Sequence, residues 1–206
     1  IAKIGYTAVQ ISGFGKVDPK EVDRRAKDLG LTVASTHTGW NRFLTELDAV
    51  IGEHKLWGCR HPATGAIPDT YRTEDGLKRF LDDLAPVTDR LAKEGMDFSY
   101  HNHSHELARH GKKTWLEMLY AQADPKTLKV EIDTYWIQAG GGDPAQWISR
   151  YPGRQPLVHL KDMSVTPERE QRMAPVGEGN LNWPAILSAV DVVGAEFVLV
   201  EQDRHY

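Results

Sequence analysis

The sequence is poor in cysteine: Cys59 is its single thiol among 206 residues. One cysteine excludes an internal disulfide and suits a reducing compartment. The chain also lacks a basic run and carries a formal net charge of -4, which argues against nucleic acid as its main partner. No apolar stretch approaches the roughly 20 residues of a membrane-spanning helix, and a signal-peptide pattern is absent. These absences predict a cytoplasmic protein without a nucleic-acid or membrane partner.

The overall composition is that of a globular protein, with 40% hydrophobic and 26% charged residues. We expect residues 1–206 to form one domain around one core. Runs rich in β-forming residues alternate with helical segments, and the runs lie at 7–12, 32–36, 59–61, 98–103, 130–135, 157–161 and 197–201. Strands and helices that alternate through short connections imply parallel strands covered by helices.

Several helices have clear sequence signals. The first begins after Asp18, with Pro19 as its first helical residue and Glu21 completing a start that resembles a capping box. A long helix is predicted from about Thr73 to Gly95, where apolar residues recur at helical spacing and Pro86 is expected to introduce a kink. Further helices are predicted at 112–123, 143–151 and 183–193.

Seven strands follow from this count, and the chain opens on what reads as a helix end and closes on a strand. This order fits a TIM (β/α)8 barrel that lacks its first strand and last helix. The glycine-rich segment at 139–144 matches neither the dinucleotide motif nor the P-loop, which argues against an open nucleotide-binding sheet. An open barrel exposes two sheet edges, so we expect either a longer native chain or pairing with another copy as a homo-oligomer.

The histidine-rich segment FSYHNHSHE, at 98–106, has two interpretations. His105 begins something close to the H-E-x-x-H signature of zinc proteases, but the next histidine, His110, is five residues away instead of four and faces another side of a helix. Along a strand, in contrast, His101 and His103 point to the same face. The strand interpretation is favoured because an apolar run precedes the segment.

Ionisable side chains collect where four successive strands end. They are His101 and His103, then Glu131 and Asp133, then His159 and Lys161, and finally Glu201 and Asp203. Neighbouring strands lie about 4.8 Å apart, so one group from each can converge on one point, and catalytic groups of TIM barrels lie at these carboxyl ends. Burying carboxylates and imidazoles without a counter-charge costs free energy, and a divalent cation offsets that cost. Mixed oxygen and nitrogen ligands suit manganese, cobalt, iron or zinc, with magnesium as a further option.

Each of these residues also has a structural interpretation. A single histidine at a strand end is more often a hydrogen-bonded rim residue than a metal ligand. A carboxylate there is commonly the N-cap of the next helix, which would account for Asp162 or Asp203. Lys161 would be a solvated charge and Trp136 ordinary packing. The recurrence over four strands favours the ligand interpretation.

These segments resemble the xylose isomerase-like TIM barrels described as sugar phosphate isomerases and epimerases. The likeness covers nearly the whole chain and rests on YHNHSHE, EIDTYW, VHLKD, VGEGNLNW and VLVEQD. It implies a small sugar or polyol substrate and one divalent metal, held by Glu, Asp, His and Glu from the fifth to eighth strands. By position, Asp133, His159 and Glu201 match the last three ligands. The first glutamate of the family falls on His101, which we take as the fourth ligand.

The resemblance implies first an isomerase or epimerase, in which two metal-bound glutamates move a proton on either side of an enediolate. Glu201 is then one base, and the second would be His101, His103 or Glu131, since an imidazole is chemically capable of that role. A base paired with an imidazole acid also suits β-elimination, and the chain resembles inosose dehydratases in its Tyr-His-x-His strand. A lyase is therefore the second hypothesis. A carbohydrate-binding homologue without turnover is the third.

Four further residues are candidates for substrate binding. His37 ends a strand and resembles a family histidine that could bind a sugar hydroxyl, although a rim histidine is an equally good interpretation. Lys161 could neutralise an enolate or hold a phosphate, and Trp136 could be a stacking platform for a sugar ring. His61, in CRHPATG, is expected to line the mouth of the site.

Overall fold

The computed structural model describes residues 1–13 and 15–204. The chain divides into two compact units, of which the first runs from Ile1 to Tyr100 and the second begins at His101. Strands and helices alternate within each unit, as the sequence predicts. Among the helices described, none is both long enough and apolar enough to cross a membrane.

The first unit contains four parallel strands that pair in chain order: β1 (Ala8–Ser12), β2 (Thr32–His37), β3 (Pro62–Thr64) and β4 (Phe98–His101). The α-helices of this unit are α1 (Pro19–Asp28), α2 (Trp40–Thr45), α3 (Leu47–Trp57) and α4 (Glu74–Lys93). The last residue of β4, His101, is also the first residue of the second unit. Parallel pairing brings the carboxyl ends of these strands to one edge of the sheet.

The strands of the second unit are β5 (Arg109–His110), β6 (Lys113–Thr114), β7 (Leu128–Asp133), β8 (Leu157–Leu160), β9 (Asp162–Val165), β10 (Gln171–Ala174) and β11 (Phe197–Val200). Its α-helices are α5 (Trp115–Gln122), α6 (Thr134–Ala139), α7 (Pro144–Ser149) and α8 (Trp183–Val193). Strands β7, β8 and β11 are parallel and pair in that order, whereas β5 with β6 and β9 with β10 form antiparallel hairpins. Over the described residues, the parallel strands of the two units therefore number seven, as predicted.

Helix α1 begins as predicted, because Asp18 accepts a hydrogen bond from the Lys20 N–H and Pro19 occupies the first turn. The capping box expected from Glu21 is wrong. The Glu21 carboxylate instead binds Arg24 and Arg25, at 2.6–2.9 Å, so it faces along the helix and not back to its start.

Helix α4 supplies much of the core of the first unit. Thr73 caps it through the Gly76 N–H, and the helix continues through Pro86 to Lys93. Its predicted apolar stripe is confirmed at Leu77, Phe80, Leu84, Val87 and Leu91, which are all buried. The Phe80 ring also packs against Trp40, with 4.9 Å between the ring centroids.

Other boundaries differ from the prediction. The third strand begins at Pro62 and not at Cys59, so His61 precedes the strand. The fifth predicted strand ends at Asp133, and Tyr135 belongs to α6. Helices α2, α3 and α6 and the two hairpins were not predicted, because their segments are short or carry residues that also favour strands.

Candidate metal centre and active site

The centre of the candidate site is the buried imidazole of His159, on β8. Its Nε2 lies 2.6 Å from Glu131 Oε1, and its Nδ1 lies 2.9 Å from Glu201 Oε2. Burial lowers the pKa of His159, but the two carboxylates outweigh burial and raise that pKa to about 10. The two carboxylates thus favour the protonated imidazole in this arrangement, and His159 must release a proton to bind a metal.

Lys161 lies two residues further along the chain and contacts three carboxylates. Its Nζ is 3.0 Å from Asp133 Oδ2, 2.8 Å from Glu201 Oε2 and 3.1 Å from Asp203 Oδ2. Burial lowers the pKa of Lys161, but Asp133 and Glu201 outweigh burial and raise it. The side chain is 2% exposed, so the interpretation of Lys161 as a solvated charge is wrong.

The carboxylate of Asp133, at the end of β7, divides its two oxygens between structure and site. Oδ1 accepts a hydrogen bond from the Trp136 N–H at 3.0 Å and thereby caps α6. Oδ2 faces Lys161 and lies 3.8 Å from His101 Nε2. Burial raises the pKa of Asp133, against the opposite effects of Lys161 and His159. The same carboxylate thus caps α6 with one oxygen and presents the other to the site.

Glu201 directly follows β11 and is the accessible carboxylate among the predicted ligands, with 30% of its side chain exposed. Burial raises the pKa of Glu201, but His159 and Lys161 outweigh burial and hold it well below its usual range. Glu131, on β7, is fully buried, so of these two glutamates only Glu201 is open to solvent.

His101 ends β4, and His103 lies two residues further along the chain. The His101 ring is buried, with its centroid 4.5 Å from that of His159, and its Nδ1 is 3.8 Å from Glu131 Oε1. The His103 ring is half-buried and lies 5.2 Å from His101 and 5.2 Å from Trp136. Trp136 also has Lys161 Nζ 5.8 Å from its ring centroid, which suits an aromatic platform at the edge of the site.

The four predicted metal ligands come together in the second unit. One donor atom from each of His101, Asp133, His159 and Glu201 lies within 4.8 Å of the others. Two imidazoles and two carboxylates form a mixed donor set that suits divalent transition metals, and the buried carboxylate of Asp133 favours a cation beside it. The residues present therefore fit such an ion. Lys161 contacts two of the same carboxylates, so a metal would compete with its ammonium group.

The two candidates of the first unit lie in different surroundings. His37 ends β2 and lines a cavity of about 270 Å³ together with Arg42 and Trp57. His61 Nδ1 lies 2.8 Å from Asp97 Oδ1, and these residues directly precede β3 and β4. His61 is thus at the amino ends of its strands, and the expectation that it lines the mouth is corrected, because catalytic groups of TIM barrels lie at the carboxyl ends.

The buried carboxylate of Asp162 is a structural feature that the sequence did not predict. It does not cap a helix but accepts hydrogen bonds from the backbone of Met163, Gly177, Gly179 and Leu181 and from Trp183 Nε1. A Cβ on Gly179 would lie 2.3 Å from Asp162 Oδ1, so the close approach needs glycine. The closely spaced glycines of VGEGNLNW are the sequence feature that could have indicated this loop.

A family model described as a xylose isomerase-like TIM barrel matches residues 1–205. The chain belongs to this family. Membership confirms the TIM-barrel fold class predicted from the sequence, and it also confirms the family that the strand-end motifs resemble. The proteins similar to this chain include isomerases, epimerases and dehydratases.

Two curated relatives are inosose dehydratases. The protein from Geobacillus thermodenitrificans (strain NG80-2) is 26% identical over 148 residues, covering 64% of this chain and 49% of its own length. The protein from Geobacillus kaustophilus (strain HTA426) is 22% identical over 188 residues, covering 79% and 60%. The chain therefore spans about half to three fifths of the length of these relatives.

A solved structure of a sugar phosphate isomerase/epimerase from Parabacteroides distasonis ATCC 8503 has the same fold. It superposes with a TM-score of 0.80 and 24% sequence identity, covering 99% of this chain and 78% of that chain. At this identity the likeness concerns the fold alone.

Proposed function

We propose that the chain is a divalent-metal-dependent lyase that removes water from a keto-sugar or keto-polyol. The observation that supports this proposal is the chemical difference between the two accessible groups of the site. Glu201, a carboxylate, contacts His159, whereas His103, an imidazole, contacts His101. A carboxylate base and an imidazole acid on two members of one ligand cluster suit the elimination of a hydroxyl group.

In the proposed reaction, Glu201 takes the proton from the carbon next to the substrate carbonyl. The electron pair of that bond first moves towards the carbonyl oxygen and gives an enolate. When the pair returns, a carbon–carbon double bond forms and the carbon–oxygen bond at the next carbon breaks. His103 donates its proton to the departing hydroxyl, which leaves as water. Lys161 is buried beside Glu201, so its positive charge favours the negative charge on the carbonyl oxygen through the electrostatics of the site and not through contact with the substrate. A bound divalent metal would supply Lewis-acid polarisation of the carbonyl, and His101, Asp133, His159 and Glu201 would hold it.

The curated relatives support the same reaction class, since both are inosose dehydratases. A keto-inositol is therefore the substrate class that we propose to test first. Trp136 and His37 remain proposed substrate contacts, with a ring platform and a hydroxyl partner as their respective roles.

An isomerase or epimerase is a second candidate, and one observation favours it. Glu131 and Glu201 contact opposite nitrogens of the His159 imidazole, so two glutamates are present at the centre of the site. Proton transfer between adjacent carbons could use this pair. The full burial of Glu131 ranks this candidate second, because a base must reach the proton that it removes.

The experiment is incubation of the metal-loaded protein with keto-inositols and ketoses in heavy water, followed by mass spectrometry. A product lighter by one water supports the lyase. Deuterium uptake without that loss supports the isomerase or epimerase and overturns the lyase. Saturable binding with neither result supports the carbohydrate-binding homologue.

Two variants sharpen the assignment. Glu201→Gln should abolish both water loss and deuterium exchange. His103→Asn should slow water loss by about 10²–10⁴-fold while exchange at the carbon next to the carbonyl continues, because the acid acts after the base has removed its proton. Equal loss of both readouts in His103→Asn would contradict the role of His103 as the acid.

A further inference from the structure

A second cluster of metal-competent side chains lies in the turn after β4. It consists of His103, His105 and Glu106, and one donor atom from each lies within 4.8 Å of the others. The rings of His103 and His105 are stacked, with 5.5 Å between centroids and 8° between planes. The two imidazoles are thus held side by side next to a carboxylate.

Glu106 fixes the geometry of this cluster. Its side chain is fully buried, Oε2 accepts a hydrogen bond from the His103 N–H at 2.8 Å, and Oε1 lies 2.8 Å from His105 Nε2. The His105 side chain is 44% exposed, so an ion could reach the cluster from solvent. A buried anion with two neighbouring imidazoles, open on one side, is the arrangement that a cation stabilises.

We propose that His103, His105 and Glu106 form a second divalent-cation site, which selects zinc. Two imidazole nitrogens and one carboxylate oxygen supply three ligands of a tetrahedral ion, and the exposed side leaves the fourth position to water. Imidazole-rich sets favour zinc over magnesium or calcium. This site uses none of the four ligands His101, Asp133, His159 and Glu201, and it does not depend on the proposed reaction.

One consequence does rest on the proposed function. The imidazole of His103 is the proposed acid of the lyase, and a zinc ion on that imidazole would prevent proton donation. Excess zinc would then inhibit water loss in the protein that carries manganese at the four-residue site. His105→Gln would relieve this inhibition, so zinc should slow the variant less than the wild type when each rate is compared with that of the same protein without zinc.

The test is zinc stoichiometry after equilibrium dialysis of the purified chain, with zinc alone as the probe. We expect two equivalents in the wild type, one in His105→Gln, one in Asp133→Asn and none in the double variant. Loss of a ligand should weaken the second site by at least about 100-fold. His105 is exposed, so His105→Gln should keep its fold, which circular dichroism checks. His110→Gln is the matched control, because His110 lies outside the cluster and should leave two equivalents bound.

The outcomes separate this site from the four-residue site. One equivalent in the wild type that Asp133→Asn removes and His105→Gln keeps overturns the second site. One equivalent that His105→Gln removes and Asp133→Asn keeps supports the second site and contradicts the metal centre of the proposed function. Equal stoichiometry in the wild type and His105→Gln, or no zinc in the wild type, also overturns the proposal.

Discussion

The Nζ atom of Lys161 lies 3.0 Å from Asp133 Oδ2, and both side chains are buried. A lysine of this chain therefore contacts a predicted metal ligand directly. It also contacts Glu201, a second predicted ligand, at 2.8 Å. The ammonium group compensates the carboxylates before any metal binds, and it defines what a metal must displace.

Replacing Lys161 by methionine should destabilise the metal-free protein by about 3–5 kcal/mol, because the substitution leaves the fully buried Asp133 carboxylate without its cation. Saturation with manganese should restore more stability to Lys161→Met than to the wild type, since the metal no longer competes with the ammonium. Urea unfolding with and without the metal measures both effects.

Lys78→Met is the matched control for this experiment. Lys78 pairs with Asp82 on the exposed face of α4, where solvent screens the pair, so little change in stability is expected. Equal destabilisation in the two variants would contradict the assignment of Lys161 as a buried counter-charge.

Asp133→Asn should weaken metal binding by at least about 100-fold while α6 stays folded. Asparagine caps helices as well as aspartate does, so the hydrogen bond to the Trp136 N–H can persist while the ligand charge is lost. Metal content by elemental analysis and helix content by circular dichroism separate the two roles. Asp143→Asn, at the cap of α7, is the control and should keep its metal.

His101→Ala belongs to the same series of measurements. If His101 is a ligand, this variant loses its metal as Asp133→Asn does. Retention of one equivalent in His101→Ala would remove His101 from the ligand set and leave its imidazole to act as an acid or base.

Gly179→Ala should destabilise the second unit by about 2–4 kcal/mol. The new Cβ would lie 2.3 Å from Asp162 Oδ1 and 2.5 Å from the Met163 carbonyl oxygen, so the loop must move and lose hydrogen bonds to the buried carboxylate. Thermal unfolding measures the loss. Gly52→Ala, in α3, has no atom within 4 Å of its Cβ and should be stabilising by about 0.5–1 kcal/mol. A neutral Gly179→Ala would disprove the need for close approach.

His54 should make the stability of the first unit sensitive to acid. Its Nδ1 contacts the Val50 carbonyl at 2.7 Å and therefore donates, which leaves Nε2 to accept from the Thr36 hydroxyl at 2.8 Å. Burial lowers the pKa of His54 below its ordinary value of 6.5. The unfolded chain then binds more protons below pH 6.5, so stability is full above that pH and falls as the pH drops.

The measurement is urea unfolding of the wild type and His54→Gln between pH 7.5 and 5. The wild type should lose more stability over this range than the variant. His110→Gln, a substitution on the second unit, is the control and should keep the slope of the wild type. Parallel curves for the wild type and His54→Gln would exclude His54 as the source of the slope.

The alternation of strands and helices and most strand ends could be predicted from the sequence, because they depend on local periodicity and capping. Helix α6 could not, since Tyr135 and Trp136 favour strands and the decisive signal is the Asp133 side chain acting as a cap. The third strand was predicted at 59–61, with Pro62 just after its end. Pro62 is instead the first residue of the strand.

The convergence of the four proposed ligands was predictable for a different reason. His101 and Asp133 end their strands, His159 is the next-to-last residue of β8, and Glu201 directly follows β11, so strand order brings them together. The contacts of Lys161 with Asp203 and of Asp162 with Gly179 join residues 42 and 17 positions apart. No local pattern specifies such pairs, and only the folded chain reveals them. Cytoplasmic location and homo-oligomer formation stay predictions.

The segment His159 to Asp162 assigns adjacent residues to different tasks. His159 and Lys161 contact the carboxylates of the site, whereas Asp162 holds the loop that contains Gly177 and Gly179. Side chains alternate between the two faces of an extended chain, so one inserted residue would exchange those faces. Such an insertion would displace the proposed metal ligand His159 and the loop anchor Asp162 together. We therefore expect insertions and deletions in related sequences to fall outside residues 159–162. Within these four positions, a substitution should be tolerated more readily than a change of register.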